Sequence, residues 1–199
     1  MKLVRNRPQH LRGFSLAESL VAVSIAAIAG TALLTSIASA VSSSTYTVQT
    51  SMAQGLAEQL LDEIAAAKFP DGTNSSSPSS YTRSAFDDID DYDNWSGGRP
   101  RDKEGRIIGA EGFELKWFSS SFYIYRPAEM RPNLDYLNRF SREVSVERIR
   151  PDAANSWTTT TDNTNHRRVT VAVSFTDGQD NTQTLAEMTR IFSYVPITP

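Results

Sequence analysis

The first 57 residues of this chain hold a single carboxylate. Glu18 sits at the edge of a run, Ser19 to Ser51, that contains no charged residue. An ionised carboxylate at the rim of an apolar segment costs free energy unless it finds a partner. The natural partner is an α-amino group, and a cut just after Gly13 in Gly13-Phe14-Ser15-Leu16-Ala17-Glu18 would create one at Phe14. A second constellation lies further on. Asp87, Asp88, Asp90, Asp91 and Asp93 place five carboxylates within seven residues, with Asn94 beside them. These are hard oxygen ligands of the kind calcium takes. The spacing departs from an EF-hand, because Trp95 stands where a further alternate ligand after Asp91 would fall. The competing expectation is a solvated acidic loop, neutralised by Arg99, Arg101, Lys103 and Arg106 just after it.

Catalytic chemistry has little to work with. The only histidines are His10, in the basic N-terminal stretch, and His166, in Asn165-His166-Arg167-Arg168, expected to be an exposed loop. Nucleophile-elbow, zinc-protease, Walker and dinucleotide-binding signatures are all missing from the sequence. With no cysteine, disulfides and thiolate metal sites are excluded. No enzymatic activity and no obligatory cofactor are expected. The Arg99–Arg106 cations could meet DNA phosphates, but salt bridges to the acidic loop are the simpler expectation. Phe113, Trp117, Phe122, Tyr123 and Tyr125 are expected in the core rather than on a binding surface.

The elements that must position Glu18 are simple to read. Leu20 to Val41 is 22 residues of mostly Ala, Val, Ile and Leu. At about 1.5 Å per residue this matches a hydrocarbon core of roughly 30 Å. Lys2, Arg5, Arg7 and Arg12 precede it, so the N-terminus is expected on the cytoplasmic side and the remainder exported. Without residues 1–13 the chain keeps 16 basic and 23 acidic residues, which argues against general nucleic-acid affinity. Beyond Val41, Met52, Leu56, Leu60, Ile64 and Ala67 recur at helical spacing until Phe69-Pro70-Asp71-Gly72 stops them. A continuous helix would run from Phe14 to Ala67, with weak points at Gly30 and at Ser42-Ser43-Ser44-Thr45.

Strand patterns follow at Glu111 to Phe118, Phe122 to Tyr125, Ser141 to Ile149, Arg168 to Thr176 and Met188 to Val195. The expected architecture is α+β: one long helix packed on a C-terminal antiparallel sheet. The segments are 1–13, a basic leader; 14–41, the transmembrane half of the helix; 42–69, its exported half; 70–112, an acidic loop region; and 113–199, the sheet domain.

Three readings fit the N-terminus. Ala38-Ser39-Ala40 looks like a signal-peptidase site, although the apolar run exceeds the usual 7–15 residues or so. A plain signal anchor explains the length but not Glu18. Third, Gly13-Phe14-Ser15-Leu16-Ala17-Glu18 resembles the cleavage and methylation motif of type IV prepilins and type II secretion pseudopilins. That resemblance implies cleavage after Gly13, N-methylation of Phe14, and pairing of Glu18 with the N-terminal amine of a neighbouring subunit, which sets axial register. It also implies a pilin-like fold, with the first half of the helix in the membrane or in a filament core. The function implied is a structural subunit of a type IV pilus or a type II secretion pseudopilus. Implied partners are a prepilin peptidase, sibling pilins, an inner-membrane platform protein, an assembly ATPase and membrane lipid. Some pseudopilins bind calcium in loops of the acidic region. The chain departs from many family members in having no proline between Phe14 and Phe69 and no cysteine, which favours a minor subunit. Phe86-Asp87-Asp88-Ile89-Asp90-Asp91-Tyr92 is also similar to a segment of minor pilins of the mannose-sensitive haemagglutinin type. The alternative from a different class is a single-pass, membrane-anchored extracytoplasmic domain that binds a cation, DNA or another ligand.

Overall fold

The computed structural model describes residues 15–70, 83–109, 113–117, 120–124, 133–153 and 156–194. Gly13 and Phe14 lie outside the described residues. The chain divides into two units, Met1–Thr47 and Val48–Pro199.

In the first unit, α1 (Leu16–Ala65) begins. It includes an 18-residue stretch of mean hydropathy 2.2, none of it buried. Leu20, Ile25, Ile28, Leu33, Leu34 and Val41 are all more than half exposed. This helix is long and apolar enough to cross a membrane. Neither Gly30 nor the serine run interrupts it. The hydroxyls explain part of this tolerance. Ser24 donates to the Leu20 carbonyl at 2.8 Å, Thr35 to Thr31 at 2.8 Å, Thr45 to Val41 at 3.0 Å and Thr47 to Ser43 at 2.9 Å. Each back-bond satisfies a polar side chain within the helix itself, so the hydroxyl needs no outside partner.

In the second unit, the remainder of α1 buries Ala53, Leu56, Ala57, Leu60, Leu61 and Ile64. This is the stripe expected from spacings of three and four. The helix ends two residues earlier than its apolar pattern. The Ala67 amide bonds the Ile64 carbonyl at 3.0 Å, tightening the last turn. The stripe packs on a sheet built from β1 (Ser96–Gly97), β4 (Phe140–Pro151), β5 (Trp157–Thr159), β6 (His166–Thr176) and β7 (Thr182–Ser193). The order is β1-β4-β6-β7, with β5 also on β4, and every pairing is antiparallel. Among the described residues, β2 (Phe113–Trp117) and β3 (Ser120–Ile124) pair only with each other, as a separate two-stranded sheet. A single-turn helix, α2 (Leu134–Leu137), precedes β4; Asn133 caps it by accepting from the amides of Asp135 and Tyr136.

β6 alternates strictly, with Val169, Val171, Val173 and Phe175 buried. Val144 faces Val171, and Val173 faces Ala186, so the inward positions form cross-strand rows under the helix. An α+β fold with a long helix on an antiparallel sheet is therefore observed.

The 83–109 segment differs from a solvated loop. Phe86, Ile89, Tyr92 and Trp95 are buried in the core, around a 3-10 turn at Asp90–Tyr92. Four large apolar side chains within ten residues outweigh the cost of bringing their acidic neighbours close. β1 follows at once, with Gly97 opposite Arg142. Gly97 leaves room for the indole of Trp95. A Cβ there would lie 2.5 Å from two ring atoms. Gly97→Ala is expected to destabilise the protein by about 1–3 kcal/mol through overpacking. A urea midpoint equal to wild type would contradict this.

Candidate functional site

Glu18 is held by a reciprocal cap at the start of α1. Ser15 precedes the helix, and its hydroxyl accepts the Glu18 amide at 3.2 Å. The Glu18 Oε2 in turn accepts the Ser15 amide at 3.3 Å and the Ser15 hydroxyl at 3.4 Å. This is a capping box, Ser-x-x-Glu, which satisfies helix-start amides and places negative charge at the positive end of the helix dipole. The Ser15-x-x-Glu18 spacing of a capping box is visible in the sequence. Both bonds to the carboxylate are long. A cationic donor at shorter range would bind the same oxygen more strongly. Glu18 is exposed, so such a donor has access.

The five acidic residues do not act together. The carboxylates of Asp87, Asp88 and Asp91 each place an oxygen within 4.8 Å of the others. Asp91 Oδ2 already accepts the amides of Asp87 at 2.9 Å and Asp88 at 3.3 Å, and Asp88 Oδ1 accepts the Asp91 amide at 3.0 Å. Asp90 instead grips Arg167, at 2.6 and 3.1 Å, and lies 3.6 Å from Arg148. Asp93 accepts the Val146 amide at 2.9 Å and the Asn94 side chain at 2.8 Å. Calcium takes six to eight oxygens. Three of the five carboxylates, Asp87, Asp88 and Asp91, converge, and Asp90 and Asp93 are engaged elsewhere, so any further oxygens would have to come from backbone carbonyls or water. Within the 3-10 turn, Asp88 satisfies the Asp91 amide.

Two of the expected neutralising cations point elsewhere. Arg106 pairs with Asp102 and Glu104, and Arg101 donates to the Gly105 carbonyl at 2.7 Å. The partners of Asp90 come from β4 and β6, because the buried turn brings it against the sheet.

Burial and the charges of Asp91 and Asp90 raise the Asp88 carboxyl above its usual range, against opposing backbone hydrogen bonds. A raised folded-state value stabilises the fold fully below the unfolded value, and that contribution is lost as pH climbs through the folded one. Asp88→Asn keeps an acceptor for the Asp91 amide. It is expected to match or exceed wild-type stability at pH 7 and to lose any advantage near pH 3. A variant less stable at pH 7 than at pH 3, relative to wild type, would refute the assignment.

Three arginines, Arg83, Arg142 and Arg167, are almost fully buried, and sequence reading found none of them. Arg83 grips Glu63 of α1 in a bidentate pair, at 2.6 and 2.7 Å, and donates to the Arg101 carbonyl at 3.0 Å. The Tyr92 hydroxyl donates to the same Glu63 at 3.2 Å, and burial, then the Glu63 charge, pushes the Tyr92 phenol upward. Arg142 donates to Gln59 at 2.7 Å and to the Arg101 carbonyl. Both guanidiniums stack on Trp95, at 4.5 and 5.8 Å from the ring centroid. A signal existed for two of them. Arg142 and Arg167 stand in the inward phase of their strands, two residues before Val144 and Val169. His166, expected in a loop, opens β6, with Nδ1 2.8 Å from the Ser193 hydroxyl.

No family model matches the chain, and neither curated proteins nor solved structures include a match to it.

Proposed function

We propose that the chain is a minor pilin or pseudopilin, a structural subunit of a type IV pilus or a type II secretion pseudopilus. The observation that carries this reading is Glu18. Its carboxylate lies in the first turn of an exposed apolar helix, in a Gly13-Phe14-x-x-x-Glu18 frame, and among the described residues is held by long bonds to Ser15. In this reading a prepilin peptidase cuts after Gly13 and methylates Phe14. The first unit then anchors the subunit in the inner membrane, N-terminus cytoplasmic, with the second unit exported. On assembly by the platform protein and its ATPase, Glu18 exchanges Ser15 for the amine of a sibling subunit.

Intact-mass analysis of the mature protein tests this directly. The expected species begins at N-methylated Phe14. A chain starting at Met1 would leave a plain membrane-anchored domain, and one starting at Val41 an ordinary exported protein. Either would overturn the proposal.

A further inference from the structure

The two edges of the sheet are finished differently. The β4 edge is closed by successive partners. The Val144 amide bonds the Trp95 carbonyl at 2.8 Å, the Val146 amide bonds Asp93 Oδ1 at 2.9 Å, and the Thr160 amide bonds the Arg148 carbonyl at 2.8 Å, with β1 and β5 paired beside them. The β7 edge has no partner strand among the described residues. Antiparallel pairing with β6 engages alternate residues of β7. The Tyr194 amide bonds the Asn165 carbonyl at 2.9 Å, which continues the β6–β7 register and puts Phe192, Arg190 and Met188 in the bonded phase. The backbone groups of Glu187, Thr189, Ile191 and Ser193 therefore point away from the sheet.

The usual devices that blunt such an edge are missing from its C-terminal half. β7 contains no lysine and no proline. Its register shift lies towards the other end, opposite Val173 and Ser174. Its inward charge, Arg190, is tied to Asp62 at 2.9 Å. Apolar surface gathers at the same place. Among the described residues after Val48, the large apolar side chains left exposed are Ile191, at 38%, and Tyr194, at 50%.

We propose that residues 188–194 form an interface between two copies of this chain, paired edge to edge as antiparallel strands centred on Ile191. In this register Ile191 meets Ile191 of the second copy and Tyr194 meets its Met188, so both exposed apolar side chains gain apolar partners. Thr189 meets Ser193 of the second copy and Arg190 meets its Phe192, a hydroxyl pair and a cation–aromatic pair. No like charges face each other, and Glu187 lies beyond the paired segment. Shifting the register by two residues sets Ile191 against Thr189 or Ser193 instead. The contact is small, so association depends on concentration. This inference is independent of the pilin reading, because it uses the Val48–Pro199 unit alone.

The test uses the full chain in detergent micelles. The chain has no cysteine, so Ile191→Cys can form a disulfide only between copies. Facing residues of an antiparallel pair lie within bridging distance, so mild oxidation is expected to link Ile191→Cys at least about tenfold faster than Thr182→Cys, at the unpaired end of β7. Equal rates would overturn the proposal. Sedimentation equilibrium in density-matched detergent needs no cysteine. The wild-type chain is expected to show a monomer–dimer equilibrium. Thr189→Pro removes an edge amide that β6 does not use, and Ile191→Lys puts a charge at the centre of the contact. Both positions are exposed, so the monomer keeps its fold. Each variant is expected to weaken association by at least about tenfold. A wild-type chain that stays monomeric would overturn the proposal. So would dimers that persist equally in both variants, which would place the contact in the apolar part of α1.

Discussion

Glu63→Ala is expected to lower the stability of the Val48–Pro199 unit by about 3–5 kcal/mol, the usual cost of removing one partner from a buried ion pair. The residue accepts three hydrogen bonds from two buried side chains, Arg83 and Tyr92. Its removal leaves Arg83, which is 0% exposed, and Arg142 facing each other with no carboxylate between them. For a domain of this size each kcal/mol is worth about 2–4 °C, so Tm should fall by roughly 10 °C. That is a large share of a typical total of about 5–15 kcal/mol. Glu63→Gln keeps acceptor geometry but not charge and should fall between the two. The double change Glu63→Leu with Arg83→Met should recover much of the loss, since apolar replacement of a whole buried pair is often neutral. Denaturant melts of the four proteins decide the matter. If Glu63→Ala lies within about 1 kcal/mol of wild type, the cluster is not what ties α1 to the sheet.

The second large effect concerns assembly and rests on the proposed function. Glu18→Ala should be cleaved after Gly13 as efficiently as wild type, because Glu18 is not part of the Gly13-Phe14 bond that is cut. Its entry into filaments should fall by at least about tenfold. A charge-assisted hydrogen bond contributes roughly 1.5–3 kcal/mol, and about 1.4 kcal/mol is a factor of ten. Glu18→Gln should fail similarly, because an amide retains an acceptor for Ser15 but not the charge that attracts an amine. Co-purification of tagged subunits with sheared filaments, set against the processed pool in membranes, separates the two steps. Normal incorporation of Glu18→Ala would remove the register role; loss of cleavage would mean that Glu18 acts earlier.

Periodicity carried much of the fold. The apolar run beginning at Leu20, the stripe from Met52 to Ala67 and the alternation of Val169, Val171 and Val173 each depend on residues a few positions apart, and each formed the expected element. The strands β3, β4, β6 and β7 start earlier than expected. β7 begins at Thr182, six residues before the expected Met188, because its threonines pair with β6 instead of contributing to the core. The segment 83–97 departs from the expected solvated loop for a related reason. Its charge density is a local property, whereas the burial of Phe86, Ile89, Tyr92 and Trp95 depends on a surface supplied by α1 and β4.

The partners of the charges were set by tertiary contact alone. Glu63 and Arg83 lie 20 residues apart, Asp90 and Arg167 77 apart, Gln59 and Arg142 83 apart, and Asp62 and Arg190 128 apart. Side-chain spacing along a helix or strand reports which face a residue occupies. It does not report which distant segment covers that face. The membrane-length helix, its Glu18 and the alternating sheet follow from neighbours along the chain. The buried arginine cluster exists only because packing delivered two guanidiniums, one carboxylate and one indole to the same place.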